Sequence, residues 1–314
     1  MRKINIIPLL VSLLFWAGCN NFFDTEIDLP GTEHDPILAV NCYLSNTEDS
    51  LLTARISRTY GLFEQRPNED FVNDATVEMY KNGDLYRTFV NTPSFFSTNY
   101  EAETGGPIGD PGDEFEIVVS HPELGTARAS QIIPEPVPLA EVSARILSFA
   151  EFEGSTGEIR LTIDDPAEEE NFYELAATQI CIFEYQGYDG TIFRDTFEQP
   201  VFFDGEFDND PNTEQSVAFE NLLISDRNFN GQDFTLSLPV FLCYSEEPLE
   251  EEDLNFRIFW RTVTKDYYQY FTSINESQNA QGNPFSEPVS VYSNMENGVG
   301  AFCASSQLIY TIGE

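Results

Sequence analysis

Ala75-Thr76-Val77-Glu78-Met79-Tyr80-Lys81-Asn82-Gly83-Asp84-Leu85-Tyr86 is the stretch on which the fold class turns. Ala75, Val77 and Met79 fall at every second position, the spacing that puts one face of a strand inside and the other in water. Asn82-Gly83 follows, and both residues tolerate the positive φ of a tight two-residue turn. The stretch therefore predicts a β-hairpin. The same period extends outward on both sides. Upstream, Leu52, Ala54 and Ile56 alternate with Thr53, Arg55 and Ser57. Downstream, Phe115, Ile117 and Val119 form another strand, which His121-Pro122-Glu123-Leu124-Gly125 turns back into residues 126–131. Short strands with turn signals at this spacing predict a sandwich.

Pro134-Glu135-Pro136-Val137-Pro138 places three prolines in five residues, denying amide donors to any ladder and stiffening the chain toward polyproline II. We place a domain boundary there. Beyond it period two resumes in Ile159, Leu161 and Ile163 up to Asp164-Asp165-Pro166, and again from Tyr173 through Leu175, Ala177, Gln179 and Cys181 to Phe183. Phe234 to Leu242 and Phe256 to Trp260 supply two more strands. One segment has a different period: Tyr267, Tyr270, Phe271 and Ile274 lie at i, i+3, i+4 and i+7 behind Thr264, a plausible N-cap, which predicts a helix over 265–277 packed on the second sheet. An aromatic stripe could stack on sugar, but at helical spacing core packing is the preferred reading. The expected fold is all-β and mainly antiparallel: two β-sandwich (Ig/fibronectin-like) domains, 35–134 and 139–314, the second with one packed helix.

The N-terminus reads as a targeting segment. Arg2 and Lys3 precede an apolar run from Ile6 to Ala17 that only Ser12 interrupts, too short for an ordinary membrane span, so residues 1–18 are expected to be a signal peptide. The run closes on Phe15-Trp16-Ala17-Gly18-Cys19, which resembles a bacterial lipobox, with Trp16 where Leu is usual. Cys19 is the expected lipidation site, and acyl chains there would anchor the protein to a membrane. Residues 19–34 carry Asp, Glu, Pro and Gly with little periodicity, as a tether would.

The chain of 314 residues carries 54 Asp and Glu against 15 Lys and Arg, a formal charge of −39 that repels polyphosphate and excludes nucleic acid as a partner. Only three lysines occur, a depletion that fits a surface kept hydrated in saline surroundings. Four cysteines besides Cys19 remain in an oxidising compartment, Cys42, Cys181, Cys243 and Cys303, and they allow three pairings that the sequence leaves open. Cys181 and Cys243 both sit in strand-like runs of the second half.

No nucleotide, zinc-protease or serine-hydrolase motif is present, and His34 and His121 fall in the tether and in a turn, so no catalytic residue is assigned and the expectation is a protein that is not an enzyme. Abundant carboxylates give glycosidase chemistry no support, since with so many acids proximity arises by chance. Asp226-Arg227-Asn228-Phe229-Asn230-Gly231 matches the first six positions of a calcium loop, where oxygens at alternate residues converge as Gly turns the chain. Asp226, Asn228 and Asn230 are the metal candidates and calcium the one cofactor the sequence offers. Ser237 stands where that loop needs a bidentate Glu, which favours a simple Gly turn entering a strand. Asp204, Glu206, Asp208 and Asp210 form a second acidic loop, read as solvated. Ser293, Asn294, Asn297, Gly298 and Gly300 make the densest small-polar stretch, suited to left-handed turns.

That stretch, with Ala301-Phe302 after it and Pro284 to Val289 before it, resembles the C-terminal signature of a Bacteroidota lipoprotein family, domain of unknown function 4249. Glu26-Ile27-Asp28-Leu29-Pro30, Asp74-Ala75-Thr76-Val77, Pro111-Gly112, Asp165-Pro166, Phe229-Asn230-Gly231 and Tyr267-Tyr268-Gln269-Tyr270 resemble its pattern in order. Met295 and Ala301 replace the branched residue expected at packing positions. The resemblance implies a cell-envelope lipoprotein, often encoded beside a TonB-dependent outer-membrane receptor, and transfers no catalytic residue. The expected function is a non-enzymatic, lipid-anchored outer-membrane lipoprotein, accessory to such a receptor in nutrient capture or uptake. The alternative is a surface carbohydrate-binding module, with a hydrolase third.

Overall fold

The computed structural model describes residues 34–313 apart from 48–50, 62–63, 66, 68–69, 93–97, 104–107, 150–154, 168, 187, 204–211, 216–220, 244–249, 251–253, 282–286 and 288. The leader, Cys19, most of the tether and the 204–210 acidic loop therefore lie outside the described residues. Two units divide the chain, Met1–Asp35 with Tyr60–Gln65 and Pro36–Thr59 with Arg66–Glu314. In the first, the Gly61 amide donates to Glu64 Oε2 at 3.2 Å. The second holds the fold.

Its first half contains β1 (Leu38–Ser45), β2 (Leu52–Arg58), β3 (Thr76–Lys81), β4 (Asp84–Thr88), β5 (Val90–Asn91), β6 (Tyr100–Ala102), β7 (Glu114–His121) and β8 (Gly125–Ile132). After the proline segment come β9 (Leu139–Ser148), β10 (Thr156–Asp164), β11 (Phe172–Gln186), β12 (Ile192–Pro200), β13 (Thr213–Gln215), β14 (Leu222–Ser225), β15 (Asp233–Phe241), β16 (Phe256–Val263), the helix α1 (Lys265–Gln281) and β17 (Val299–Ile312). The fold is all-β and mainly antiparallel, sandwich-like, with one long helix among the described residues.

A ten-stranded sheet runs β13-β14-β11-β16-β17-β1-β2-β6-β5, with β12 also paired to β11. Two small sheets, β4-β3-β7-β8 and β15-β10-β9, accompany it. The link between the halves is parallel: β17 lies beside β1 from Ala39 opposite Val299 to Ser45 opposite Ser305. Every side of this arrangement follows from alternation. Leu38, Val40, Cys42 and Leu44 of β1 join Val77 and Met79 of β3, Ile117 of β7 and Phe302 of β17 in one core. Tyr173 and Leu175 of β11, Ile258 and Trp260 of β16 and Leu161 of β10 form a second. The large sheet thus presents one face to both small sheets, side by side, and its residues of opposite parity to α1.

The deciding hairpin forms as its turn chemistry requires: Asn82 and Gly83 have φ of 51° and 87°. The Asn82 side chain bridges to the next strand, donating to Asp113 Oδ1 at 2.8 Å and accepting from the Glu114 amide at 3.0 Å. Residues 133–138 lie between β8 and β9 outside any strand, and Val137 is held there by its amide to Thr262 Oγ1 at 2.9 Å and its carbonyl to the Trp260 indole at 2.8 Å. That indole stacks on Tyr173 with ring centroids 4.9 Å apart. Cys181 and Cys243 form a disulfide, while Cys42 and Cys303 are buried free thiols on opposite faces of the large sheet. Burial holds the Cys42 thiol up at about 12 and Cys303 well above its ordinary value, so both stay protonated and unreactive.

No helix among the described residues is long and apolar enough to cross a membrane.

Candidate functional site

Helix α1 begins where the sequence puts it and runs one turn further than the predicted 265–277. Thr264 receives the first helical bond on its carbonyl, from the Tyr268 amide at 3.2 Å, and its hydroxyl docks on β17 by accepting from the Ala304 amide at 3.5 Å. The aromatic stripe faces the sheet. Tyr267, Tyr270 and Phe271 are buried with Phe172, Leu223, Val263, Ala301 and Cys303, and Ile274 packs against them. The Tyr270 hydroxyl reaches β1, donating to Asn41 Oδ1 at 2.7 Å. The helix therefore lies over strands from both halves of the chain, and the stripe is core.

Beside α1 the same sheet face opens into a cleft of about 610 Å³. Tyr43 of β1, Phe259 and Arg261 of β16, Gln307 of β17 and Asn221 line it with Tyr267. Three of these residues, Asn221, Arg261 and Tyr267, converge on one buried carboxylate. Glu174 of β11 is only 1% exposed, and its Oε2 accepts from Arg261 at 2.7 Å while Oε1 accepts from Asn221 at 2.6 Å and from the Tyr267 hydroxyl at 3.0 Å. Arg261 Nε donates to Gln307 Oε1 at 2.8 Å. Burial opposes the Arg261 charge, but the Glu174 carboxylate outweighs it and leaves the guanidinium above its ordinary pKa. Burial and the same carboxylate push the Tyr267 phenol well up, so it remains a donor. Both Glu174 oxygens are thus committed to structure. What the cleft offers a ligand is aromatic surface, chiefly Tyr43, 39% exposed, with Phe259 beside it, together with amide and hydroxyl groups.

The family model described as domain of unknown function (DUF4249) matches residues 24–310. The chain belongs to this family. No curated protein matches the chain.

The small-polar stretch of this DUF4249 chain is a clamp around the start of α1. Asn294 accepts from the Phe302 amide at 3.0 Å and donates to the Phe302 carbonyl at 2.7 Å and to Asp266 Oδ2 at 3.0 Å. Asp266 also accepts from the Tyr292 hydroxyl and from Gln131 of β8. Ser293 caps the Met295 amide at 3.3 Å, and Asn297 takes a φ of 56°. Gly298 and Gly300 permit close passage: a Cβ at Gly300 would lie 2.1 Å from the Val40 carbonyl, and one at Gly298 2.7 Å from Ala127 Cβ.

The three calcium candidates occupy the turn between β14 and β15. Asp226 opens a single 3-10 turn, with Oδ2 accepting from the Asn171 amide at 2.7 Å. Asn228 donates to Asn212 Oδ1 at 2.7 Å and Asn230 to the Glu169 carbonyl at 2.8 Å. His121 closes the β7–β8 turn, accepting on Nδ1 from the Glu123 and Leu124 amides at 3.2 Å each. Sequence reasoning missed the Glu174–Arg261 pair. Their sole local signal is a charged residue inside a period-two strand, which ordinarily marks the wet face.

Proposed function

We propose that the protein is a lipid-anchored, non-enzymatic lipoprotein of the Bacteroidota outer membrane, working with a TonB-dependent receptor in nutrient capture or uptake. The observation that carries this reading is the apolar leader closing on Ala17-Gly18-Cys19. Two further points support it. Family membership fits the envelope context, and the Glu174 carboxylate, bonded to the cleft-lining Asn221, Arg261 and Tyr267, has both oxygens engaged, which suits recognition better than proton transfer. The test is Cys19→Ser. The variant is expected to move from membranes to the soluble fraction with its folding intact, because roughly 0.8 kcal/mol for each buried methylene makes acyl anchoring close to all-or-none. A variant that stays membrane-bound through carbonate washing sinks the lipoprotein reading. Purification of the wild type in mild detergent is expected to recover a β-barrel receptor, and repeated recovery of the protein alone removes the partnership.

A surface carbohydrate-binding role is the second reading, favoured by Tyr43 in the cleft beside Asn221, Gln307 and Arg261. An aromatic face with planar hydrogen-bonding groups suits a hydroxylated ring. A glycan array separates the two: binding that Tyr43→Ala abolishes supports it, and no binding to any polysaccharide leaves the accessory role.

A further inference from the structure

Three carboxylates are buried among the described residues: Glu174, Asp165 and Asp226. Glu174 is neutralised by Arg261. The other two have no basic side chain in salt-bridge contact, although a carboxylate removed from water without compensation is among the costliest features a fold can carry.

The loops that carry them meet. Asp165, just after β10, accepts from the Gly231 amide at 2.9 Å on Oδ2 and from the Tyr173 hydroxyl at 2.5 Å on Oδ1. Asp226 is fully buried, and while its Oδ2 takes the Asn171 amide, its Oδ1 has no hydrogen-bond partner. Burial, with the negative charge of Asp165 and Glu170 added to it, holds Asp226 above its ordinary carboxyl pKa. The loops are pressed together at Gly231, where a Cβ would sit 2.6 Å from that of Ala167.

We propose that the two loops carrying Asp165 and Asp226 bind one calcium-class divalent cation, with Asp226 Oδ1 as its principal ligand and Asp165 as the second carboxylate. The donors are hard oxygens, which select such a cation over zinc or copper. Ser237 stands in β15 at the position where a contiguous calcium loop has its bidentate Glu, and Asp165, from a separate loop, supplies a carboxylate in its place. No group of three or more His, Cys, Asp or Glu is placed to hold a metal among the described residues, so the site rests on two carboxylates and its affinity belongs at the weak end, roughly 10⁻⁴–10⁻³ M.

The full chain, stripped with a chelator, is titrated with CaCl2 to several millimolar, with MgCl2 in parallel, and its thermal midpoint followed. Calcium at tenfold excess over its dissociation constant is expected to raise the midpoint by about 3 °C. Asp226→Asn is expected to abolish that rise. In wild type, Tb3+ is expected to give saturable one-to-one luminescence, sensitised by Tyr173 and displaced by calcium, a readout that serves if the variant does not fold. Three results overturn the proposal: no midpoint shift in wild type, an undiminished shift in Asp226→Asn, or Tb3+ emission without saturation. A wild type that ignores calcium but gains stability as pH falls assigns the pair a shared proton instead and overturns it equally.

Discussion

Glu174 shows what one residue carries in this fold. Its carboxylate joins β11 to β16 through Arg261, to α1 through Tyr267 and to Asn221, so one side chain serves four segments. Replacing it with Ala leaves the Arg261 guanidinium without its carboxylate, and we expect a loss of about 3 kcal/mol, the lower end for a broken buried pair because Arg261 retains 30% exposure. Glu174→Gln keeps the acceptor oxygen for Asn221 or Tyr267 and is expected to lose less; urea denaturation midpoints rank the two, and equal costs would remove the charge from the account. Gly300 makes the complementary case through backbone. Its φ of 105° and the nearby Val40 carbonyl both oppose a side chain, so Gly300→Ala is expected to cost at least about 3 kcal/mol. Gly83, at φ 87° with open space around it, is expected to lose only about 1 kcal/mol on the same change.

At the scale of elements, the β3–β4 hairpin is pinned to β7 by electrostatics as well as by its ladder. Lys81 contacts Asp113 Oδ2 at 2.7 Å and Asn82 donates to Oδ1 at 2.8 Å. Together they hold the Asp113 carboxyl at about 2, below its ordinary 3.8. A carboxyl with a depressed folded pKa stabilises the native state in full above its unfolded value and ceases to do so as pH falls through the folded one. Asp113→Asn is therefore expected to be less stable than wild type near neutrality, with the gap closing between about pH 4 and pH 2. Denaturation at fixed salt across that window checks it, and a gap that persists at pH 2 would rule the linkage out. Helix α1 works differently: its stripe supplies the apolar half of the contact, while Asn294 and Asp266 fix where the helix starts.

At the scale of the whole molecule the charge of −39 dominates. Self-repulsion among exposed carboxylates opposes the compact state, and salt relieves it as the Debye length shrinks from about 10 Å at 0.1 M to about 3 Å at 1 M. The urea midpoint is expected to rise on moving from low to molar KCl. A flat response would remove the reading of the acidic surface as an adaptation to saline surroundings. The large sheet sets how that stability is shared, since β17 serves both cores, with Phe302 and Ala304 in the first and Tyr310 and Ile312 against the second.

The sequence by itself determined the elements whose two faces see different surroundings. The β3–β4 hairpin, the strands around Leu52, Phe115, Ile159 and Phe256, and helix α1 each carry a period that reports which side meets water, and that report is local. It has no signal for a strand buried on both sides. Residues 301–306 of β17 are buried without alternation, Ala and Ser among them, so the strand that stitches the halves together carries no period to announce it. Its parallel partner β1 lies some 260 positions away, as Ala39 opposite Val299 shows, and no short-range pattern names a partner at that separation. The cleft and both unusual carboxylate sites share this origin. Glu174 occupies a polar position in a good strand, and Asp165 and Asp226 sit in ordinary turns; α1 and the facing loop are what remove them from water. Hydropathy records how a residue meets solvent, whereas its neighbour across the fold is chosen only when distant segments pack, and tertiary structure alone decided those pairings.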